Sequence, residues 1–543
     1  MPEQRTYKRN QNNKQECDNK KYIYFFLKKH SENGLPIGIT RRGYPFGCDI
    51  VIRDAGDERC AIALEIGEDL GAPVPPSAAH ALSGAAIIVN LSATSETVDK
   101  AEYRRLLVKS QSARTVSAYV YADAGHGEST QDAVFASRKI IAENGEIIAE
   151  TKPFDDALCF ADIDIERLAQ ERRRDTTFSA CAENANTRPY RNIRIDLLSR
   201  AKAFSKNAPL FRTIDSSPFV PSNESDQSER WNGILAVQAE GLAKRMRHTG
   251  VKNAVIGLSG GLDSTLALLV TIRAFRLLDL NASGIRAITM PCFGTTDRTY
   301  RNACALAKET GTTLTEINIA EAVRVHFRDI GQDESVRDSA YENAQARERT
   351  QVLMDIANKI NAIVVGTGDL SELALGWCTY NGDHMSMYGV NGSVPKTLVR
   401  RLVRFCADST DNKNLSAVLN DILATPVSPE LLPSEGGTVS QKTEDILGPY
   451  ELHDFFLYYM LRFGFSPAKI LFLADKADLP YTHEEKLRTL RIFYRRFFSQ
   501  QFKRSCMPDG AKVGSISLSP RSDWRMPSDA SAALWLSEID SLK

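Results

Sequence analysis

The chain has 543 residues, 43% of them apolar and 25% charged, with 68 basic and 68 acidic side chains. That is an ordinary globular composition, long enough for two or three cores, and nothing in it marks a fibrous or membrane-spanning class. The balanced charge excludes a global field that would attract nucleic acid or an anionic membrane, so small-molecule chemistry fits better. Residues 1 to about 30 are Asn/Gln/Lys-rich, with eight basic and three acidic side chains and no helix or strand period, which predicts a disordered polar arm. Its one apolar run, Tyr22–Leu27, is too short for a signal peptide and is closed by Lys28-Lys29. The ten cysteines are scattered, with no C-x-x-C and no His at zinc spacing. Reduced thiols and a cytoplasmic location are the simplest expectation.

From Gly47 the pattern changes to short apolar runs separated by polar turns. Strands are predicted at 49–52, 60–66, 85–91, 117–122 and 140–142. Between them 100–114 reads as a helix with Tyr103, Leu106, Leu107 and Ser110 on one face. This alternation predicts an α/β layer structure. The Ser- and Pro-rich stretch 204–230 reads as a linker, separating a first domain over 31–203 from a second over 231–543. In the second, strands are predicted at 254–258, 287–290, 314–319 and 362–365, with helices between them near 298–309 and 339–360. Four strands with helical crossovers predict a doubly wound parallel sheet. The last hundred residues read as helical and aromatic.

The stretch Ala254–Phe275 reads as buried strand, tight loop and buried helix, with Ser259-Gly260-Gly261-Leu262-Asp263-Ser264 at the turn. Two adjacent glycines allow a sharp turn with positive φ and close approach of a ligand. The following helix aims its unpaired N–H groups and positive dipole end at the loop, which makes an anion site. Leu262, Asp263 and Ser264 stand where the lysine of a Walker A loop would fall, so the phosphates are expected to be met by hydroxyls and backbone amides. Asp263 beside phosphate calls for a divalent cation between them. The end of strand 362–365 carries Gly366-Thr367-Gly368-Asp369-Leu370-Ser371-Glu372, and ligands of parallel sheets bind beyond the carboxyl ends of strands. Asp369 with Glu372 also reads as a capping box. The polar segment Glu342–Arg349 reads, taken alone, as a solvated helix.

Taken together, the loop Gly257–Ser264, Glu342-Asn343-x-Gln345-Ala346-Arg347-x-Arg349, Gly366-Thr367-x-Asp369-x-Ser371-Glu372-x-x-x-Gly376-Trp377, Leu447-Gly448-Pro449-Tyr450, Phe502–Ser505 and Asp523–Pro527 resemble NAD⁺ synthetase, one of the ATP pyrophosphatases. The resemblance implies a Rossmann-like fold in which ATP adenylates the nicotinate carboxylate of deamido-NAD⁺, pyrophosphate leaves, and ammonia displaces AMP. It implies ATP contacts from Gly257, Leu258, Ser259, Gly260, Gly261, Leu262, Asp263, Ser264 and Thr367. It further implies Mg²⁺ at Asp263 and Glu372, and deamido-NAD⁺ contacts from Asn343, Glu372, Trp377 and Lys503. A cytoplasmic homo-oligomer without nucleic acid or membrane partners is the expected assembly.

Leu64–Pro73, Asn90–Thr94, Lys100–Arg104 and Gly127–Thr130 resemble the nitrilase-like glutaminase domain that long NAD⁺ synthetases carry. In that family the nucleophilic Cys of a Glu-Lys-Cys triad stands where this chain has Gly67, and glycine cannot form a thioester. The family's Glu and Lys lie in a stretch that this chain replaces with its polar arm, and by resemblance about a hundred residues of the usual sandwich are absent. The leading expectation is therefore an ammonia-using NAD⁺ synthetase with a partial glutaminase domain. Two others stand beside it: glutamine dependence with the missing parts supplied by a partner, and a non-catalytic remnant serving as a binding subunit. Loss of core strands is expected to leave faces such as Ile87-Ile88-Val89 poorly covered.

Overall fold

A computed structural model describes residues 47–125, 127–128, 132–184, 189–196, 210–220, 227–294, 297–425 and 443–542. The polar arm at 1–30, and Ser129 and Thr130 of the first-domain resemblance, lie outside them. The chain divides into two compact units at Thr213/Ile214. Among the described residues no helix is long and apolar enough to cross a membrane.

The first unit is built on one mixed sheet of seven strands: β1 (Ile50–Asp54), β2 (Ala61–Ile66), β3 (Ile87–Leu91), β4 (Ala118–Ala122), β5 (Lys139–Glu143), β6 (Glu146–Glu150) and β7 (Arg191–Ile195), in the order β6-β5-β4-β3-β2-β1-β7. Strands β2, β3 and β4 run parallel, while β1 is antiparallel to β2 and β5 to β4. Helices α1 (Pro76–Leu82) and α2 (Lys100–Thr115) are followed by α3 (Ile165–Arg174) and α4 (Thr176–Asn184). The core under one face gathers Val51, Ala61, Ala63, Ile88, Tyr119, Ile140 and Val108 of α2.

Period-2 alternation sends Leu64, Val89 and Val120, which are aligned across three strands, to the other face. Among the described residues that face is thinly covered, with Leu64 half exposed and Leu91 more so. The expectation for 87–89 is corrected in one respect. Ile88 is fully buried on the covered face, and only its neighbours Ile87 and Val89 point to the open one. The predicted face of α2 is corrected as well: Tyr103 and Leu106 are exposed, and Arg104, Val108, Gln111 and Thr115 are the buried stripe. A polar stripe is buried because Arg104 pairs with Glu96 at 2.8 Å and Gln111 donates to Ser77 at 3.0 Å.

The second unit opens with α5 (Gln227–Thr249), which starts inside the stretch read as linker. A parallel sheet of five strands follows: β8 (Asn253–Gly257), β9 (Ile285–Thr289), β10 (Thr313–Glu316), β11 (Ala362–Gly366) and the two-residue β12 (Tyr388–Gly389), in the order β10-β9-β8-β11-β12. Connecting helices are α6 (Leu262–Leu277), α7 (Asp297–Thr310), α8 (Ala320–Ile330), α9 (Ser339–Ile360) and α10 (Leu370–Leu375). The central strand β8 reads Asn-Ala-Val-Ile-Gly, and its side chains alternate between two cores. Ala254 and Ile256 join α5, α6 and the later helices α11 (Lys396–Ser409) and α12 (Lys413–Leu423), whereas Val255 joins Val323 and Phe327 of α8 and Tyr341 of α9. Helices on both faces make this the doubly wound sheet that the sequence predicts.

The chain closes with α13 (Thr443–Leu447), α14 (Tyr450–Phe463), α15 (Pro467–Lys476), α16 (His483–Ser499), α17 (Gln501–Arg504) and α18 (Ala533–Asp540). Phe455, Phe456, Phe493, Tyr494 and Phe497 are buried there. The strand order places a switch point between β8 and β11, where successive crossovers leave to opposite sides. Loops at the carboxyl ends of those two strands therefore face a shared crevice.

Candidate active site

The loop after β8 is held by Leu258 N–H donating to Ile288 O at 2.8 Å, and it turns at Gly260. Gly260 has φ +83°, and a Cβ there would lie 2.1 Å from the Thr299 carbonyl oxygen, so no side chain fits. Only one of the two glycines has the positive φ expected of both. Gly261 is the extended N-cap of α6, at φ −89° and ψ 169°, a conformation open to any residue. The loop hydroxyls bind within the loop. Ser259 Oγ accepts from Gly261 N–H at 3.2 Å and lies 3.2 Å from Ser264 Oγ, and Ser264 Oγ and Thr265 Oγ1 donate to Gly261 O. The amide end of α6 opens beside them.

The loop after β11 carries Thr367, Asp369 and Glu372 into the same crevice. Asp369 caps α10 by accepting from Glu372 N–H at 2.8 Å. The expected reciprocal half of the capping box is not made, because the Glu372 carboxylate turns instead to Lys396. Lys396, the first residue of α11, reaches between both loops. Its Nζ lies 2.7 Å from Asp263 Oδ2, 2.8 Å from Asp369 Oδ2 and 2.9 Å from Glu372 Oε1. The phosphate loop was expected to manage without a lysine. The loop itself has none, and the lysine packed against its Asp263 comes from more than a hundred residues downstream.

Burial alone would discharge Lys396, yet the three carboxylates around it hold its pKa well above the ordinary value. Burial likewise raises the Asp369 carboxyl far above the usual range, against the pull of Lys396, and pushes Glu372 up to about 7. Three carboxyl groups against one ammonium carry surplus negative charge only when all are ionised, a state that burial disfavours at Asp369 and Glu372. Oxygens of Asp263, Asp369 and Glu372 lie within 4.8 Å of one another, and the buried Asp263 Oδ1 has no hydrogen-bond partner. An all-oxygen set with an unpaired oxygen fits a hard divalent cation, which would itself favour the ionised carboxylates.

Asn391, fully buried, ties the two loops together by donating to Asp263 O at 3.0 Å and Thr367 O at 3.1 Å. The remaining expected residues lie around the open end of α10. Lys503 Nζ donates at 2.7 Å to both Gly376 O and Cys378 O, the carbonyls on either side of Trp377, and burial lowers its pKa. The Arg496 guanidinium stands 5.2 Å over the Trp377 ring. Asn343 on α9 accepts from Thr379 Oγ1 at 2.8 Å. The solvated-helix reading of 342–349 is corrected, since Ala344, Gln345 and Ala346 are buried. A partly open pocket lined among others by Thr367, Glu372, Cys378, Asp383, His384 and Met507 adjoins the carboxylate cluster.

Sequence reasoning missed Lys396, Asn391 and Asp369 as a site carboxylate. One signal was readable for Lys396, which shares its helix face with Val399 and Val403, at three and seven residues' distance, so that a charge stands on an apolar stripe. It also sits at the positive end of the helix, an unfavourable place for a cation without carboxylates nearby.

In the first unit Gly67 lies at the carboxyl end of the parallel strand β2, with φ +54°, opening a short 3₁₀ turn at Gly67–Gly71. Asn90 fixes it from the neighbouring strand, accepting from Gly67 N–H at 2.9 Å and donating to Gly67 O at 3.1 Å. Cys60 is buried just before the far end of the six-residue β2, about 20 Å away at strand rise.

The family model for NAD synthase matches residues 234–486. The chain is 42% identical over 533 residues to the glutamine-dependent NAD(+) synthetase of Mycobacterium leprae (strain TN), covering 93% of this chain and 78% of that protein. It is 41% identical over 527 residues to the same-named protein of Mycobacterium tuberculosis (strain ATCC 25618 / H37Rv), covering 91% and 76%. Among solved structures, a glutamine-dependent NAD(+) synthetase from Cytophaga hutchinsonii aligns with 92% of this chain and 75% of its own, at TM-score 0.49 and 19% identity. From the family model and the mycobacterial matches, the chain belongs to the NAD(+) synthetase family, whose members are ATP-dependent ligases.

Proposed function

We propose that the second unit adenylates the nicotinate carboxylate of deamido-NAD⁺ and amidates it with free ammonia. The observation that carries this reading is the convergence of the β8 and β11 loops on Lys396 at the switch point of the sheet. A carboxylate oxygen of the substrate attacks the α-phosphorus of ATP, and the bond to the β-phosphate bridge breaks. Charge then develops on pyrophosphate. In this reading the amides of Gly260 and Gly261, the hydroxyls of Ser259 and Ser264 and the Lys396 ammonium, several of which bond within the loop or to the carboxylates in the free protein, turn to the phosphates to meet it. Thr367 closes the ATP side of the crevice. Asn343, Glu372, Trp377 and Lys503 are assigned to deamido-NAD⁺. Asp263, Asp369 and Glu372 would hold Mg²⁺, which when bound supplies further charge neutralisation at the phosphates. In the second half-reaction ammonia attacks the acyl carbon, AMP leaves with the bonding electron pair, and the nitrogen loses a proton.

The named relatives are glutamine-dependent, and the first unit is read as a nitrilase-like module of that kind. Gly67 stands at its nucleophile elbow, which supports ammonia rather than glutamine as nitrogen donor. Loss of a nucleophile that works as part of a triad typically costs on the order of 10⁶ in rate. The test is NAD⁺ formation by purified protein with deamido-NAD⁺, ATP and either ammonium or glutamine. Product with ammonium alone supports the reading. Glutamine-supported product with glutamate release, blocked by a thiol-directed inhibitor, would replace it with glutamine dependence.

A further inference from the structure

Asp454 sits in the first turns of α14, fully enclosed, and lines no part of the pocket. One of its oxygens accepts from Ser371 Oγ. The other accepts from Thr397 N–H at 3.0 Å and from Thr397 Oγ1 at 2.7 Å. Ser371 Oγ in turn accepts from Lys396 N–H at 2.8 Å. These partners are the residues next to the site: Ser371 precedes Glu372 in α10, and Thr397 follows Lys396 in α11.

Helix α11 has no cap of its own, because its N-cap is Pro395, whose side chain accepts nothing. An uncapped helix start leaves its first N–H groups without partners. Asp454 meets two of them, the Thr397 N–H directly and the Lys396 N–H through Ser371, so that a side chain from a third helix caps α11 from outside. The positive end of α11 favours an anion there. Burial nevertheless pushes the Asp454 carboxyl up to about 6. A neutral side chain would avoid that burial penalty, so the charge calls for an explanation.

We propose that Asp454 is a positioning residue for the ligase reaction, setting the spacing between Glu372 and Lys396 by holding the first turns of α10 and α11 on one carboxylate. The proposal rests on the reading of Lys396 as an ATP-phosphate ligand. It separates Asp454 from an ordinary buried cap: its effect on ATP must travel through Lys396.

The test is a double-substitution cycle read by calorimetric ATP binding, with melting temperature recorded for each variant. Asp454→Asn should weaken ATP binding on the order of tenfold in the native background and less than about twofold in a Lys396→Met background, because coupled residues are not additive. Equal losses in both backgrounds, or no loss in the native one, would overturn the proposal. Should Asp454→Asn fail to fold, Thr397→Val and Thr397→Ser carry the same test. The first loses the hydroxyl arm and should lose ATP affinity, the second keeps it and should retain affinity, and equal behaviour of the two would refute the assignment. Failure of ammonium-supported NAD⁺ formation in the unsubstituted protein would sink the functional reading instead, and the binding cycle would still decide Asp454.

Discussion

Lys396 donates to Asp263 at 2.7 Å across the gap between two loops, placing an internal cation among the carboxylates that would hold a metal. Removing it leaves three crowded carboxylates with one another. Lys396→Met should cost about 3 kcal/mol of stability, as expected when one partner of a buried ionic group is deleted. Added Mg²⁺ should recover more of the melting temperature in this variant than in the unsubstituted protein. Equal Mg²⁺ effects on the two proteins would mean that the lysine and the metal do not share these carboxylates.

The turn after β8 makes unequal demands on its two glycines. Gly260→Ala should cost about 2 kcal/mol or more through strain at φ +83° and collision with the Thr299 carbonyl. Gly261→Ala, at an extended N-cap where alanine caps less well than glycine, should cost less, under about 1 kcal/mol. Thermal unfolding of both variants checks the pair, and a larger loss at Gly261 would contradict the loop geometry.

The site should also show a pH signature. The Glu372 carboxyl is held up at about 7 by burial, against ~4.3 in an unfolded chain. The folded state thus binds this proton more tightly than the unfolded one. The stabilising contribution is fully present below ~4.3 and is lost as pH rises through about 7. A divalent cation binds the deprotonated form, so the rise in melting temperature produced by Mg²⁺ should be larger near pH ~8 than near pH ~6. A rise independent of pH would remove Glu372 from the metal set.

For the first unit, Gly67→Cys alone should not create glutamine-supported NAD⁺ formation. A thiol at the elbow still needs a base to take its proton and a cation for the oxyanion. Glutamate release by this single variant would show that those groups are present.

What was legible in the sequence was what is contiguous along it. Strand Asn253–Gly257, its loop and α6 lie within 25 residues and betray themselves by apolar runs around a glycine pair, and the same holds for β11 and its loop. Lys396 and Asn391 meet the two loops only through tertiary packing; the apolar stripe around Lys396 marks it as buried, but nothing local says against which residues, and Asp454 touches only the neighbours Ser371 and Thr397. The face of α2 was misjudged for a related reason. Leu106 and Tyr103 look like core, but Arg104 and Gln111 find buried partners that periodicity does not show. Likewise, the short edge strands Glu146–Glu150 and Arg191–Ile195 carry charges that mask a strand pattern.

The central claim is that the Lys396 cluster supports adenylation of a carboxylate, and isotope exchange between pyrophosphate and ATP tests it most directly. With ATP, Mg²⁺ and deamido-NAD⁺ but no nitrogen donor, label from pyrophosphate should enter ATP, and Lys396→Met should abolish the exchange. Exchange that does not require deamido-NAD⁺, or none at all while NAD⁺ still forms with ammonium, would contradict the adenylated intermediate.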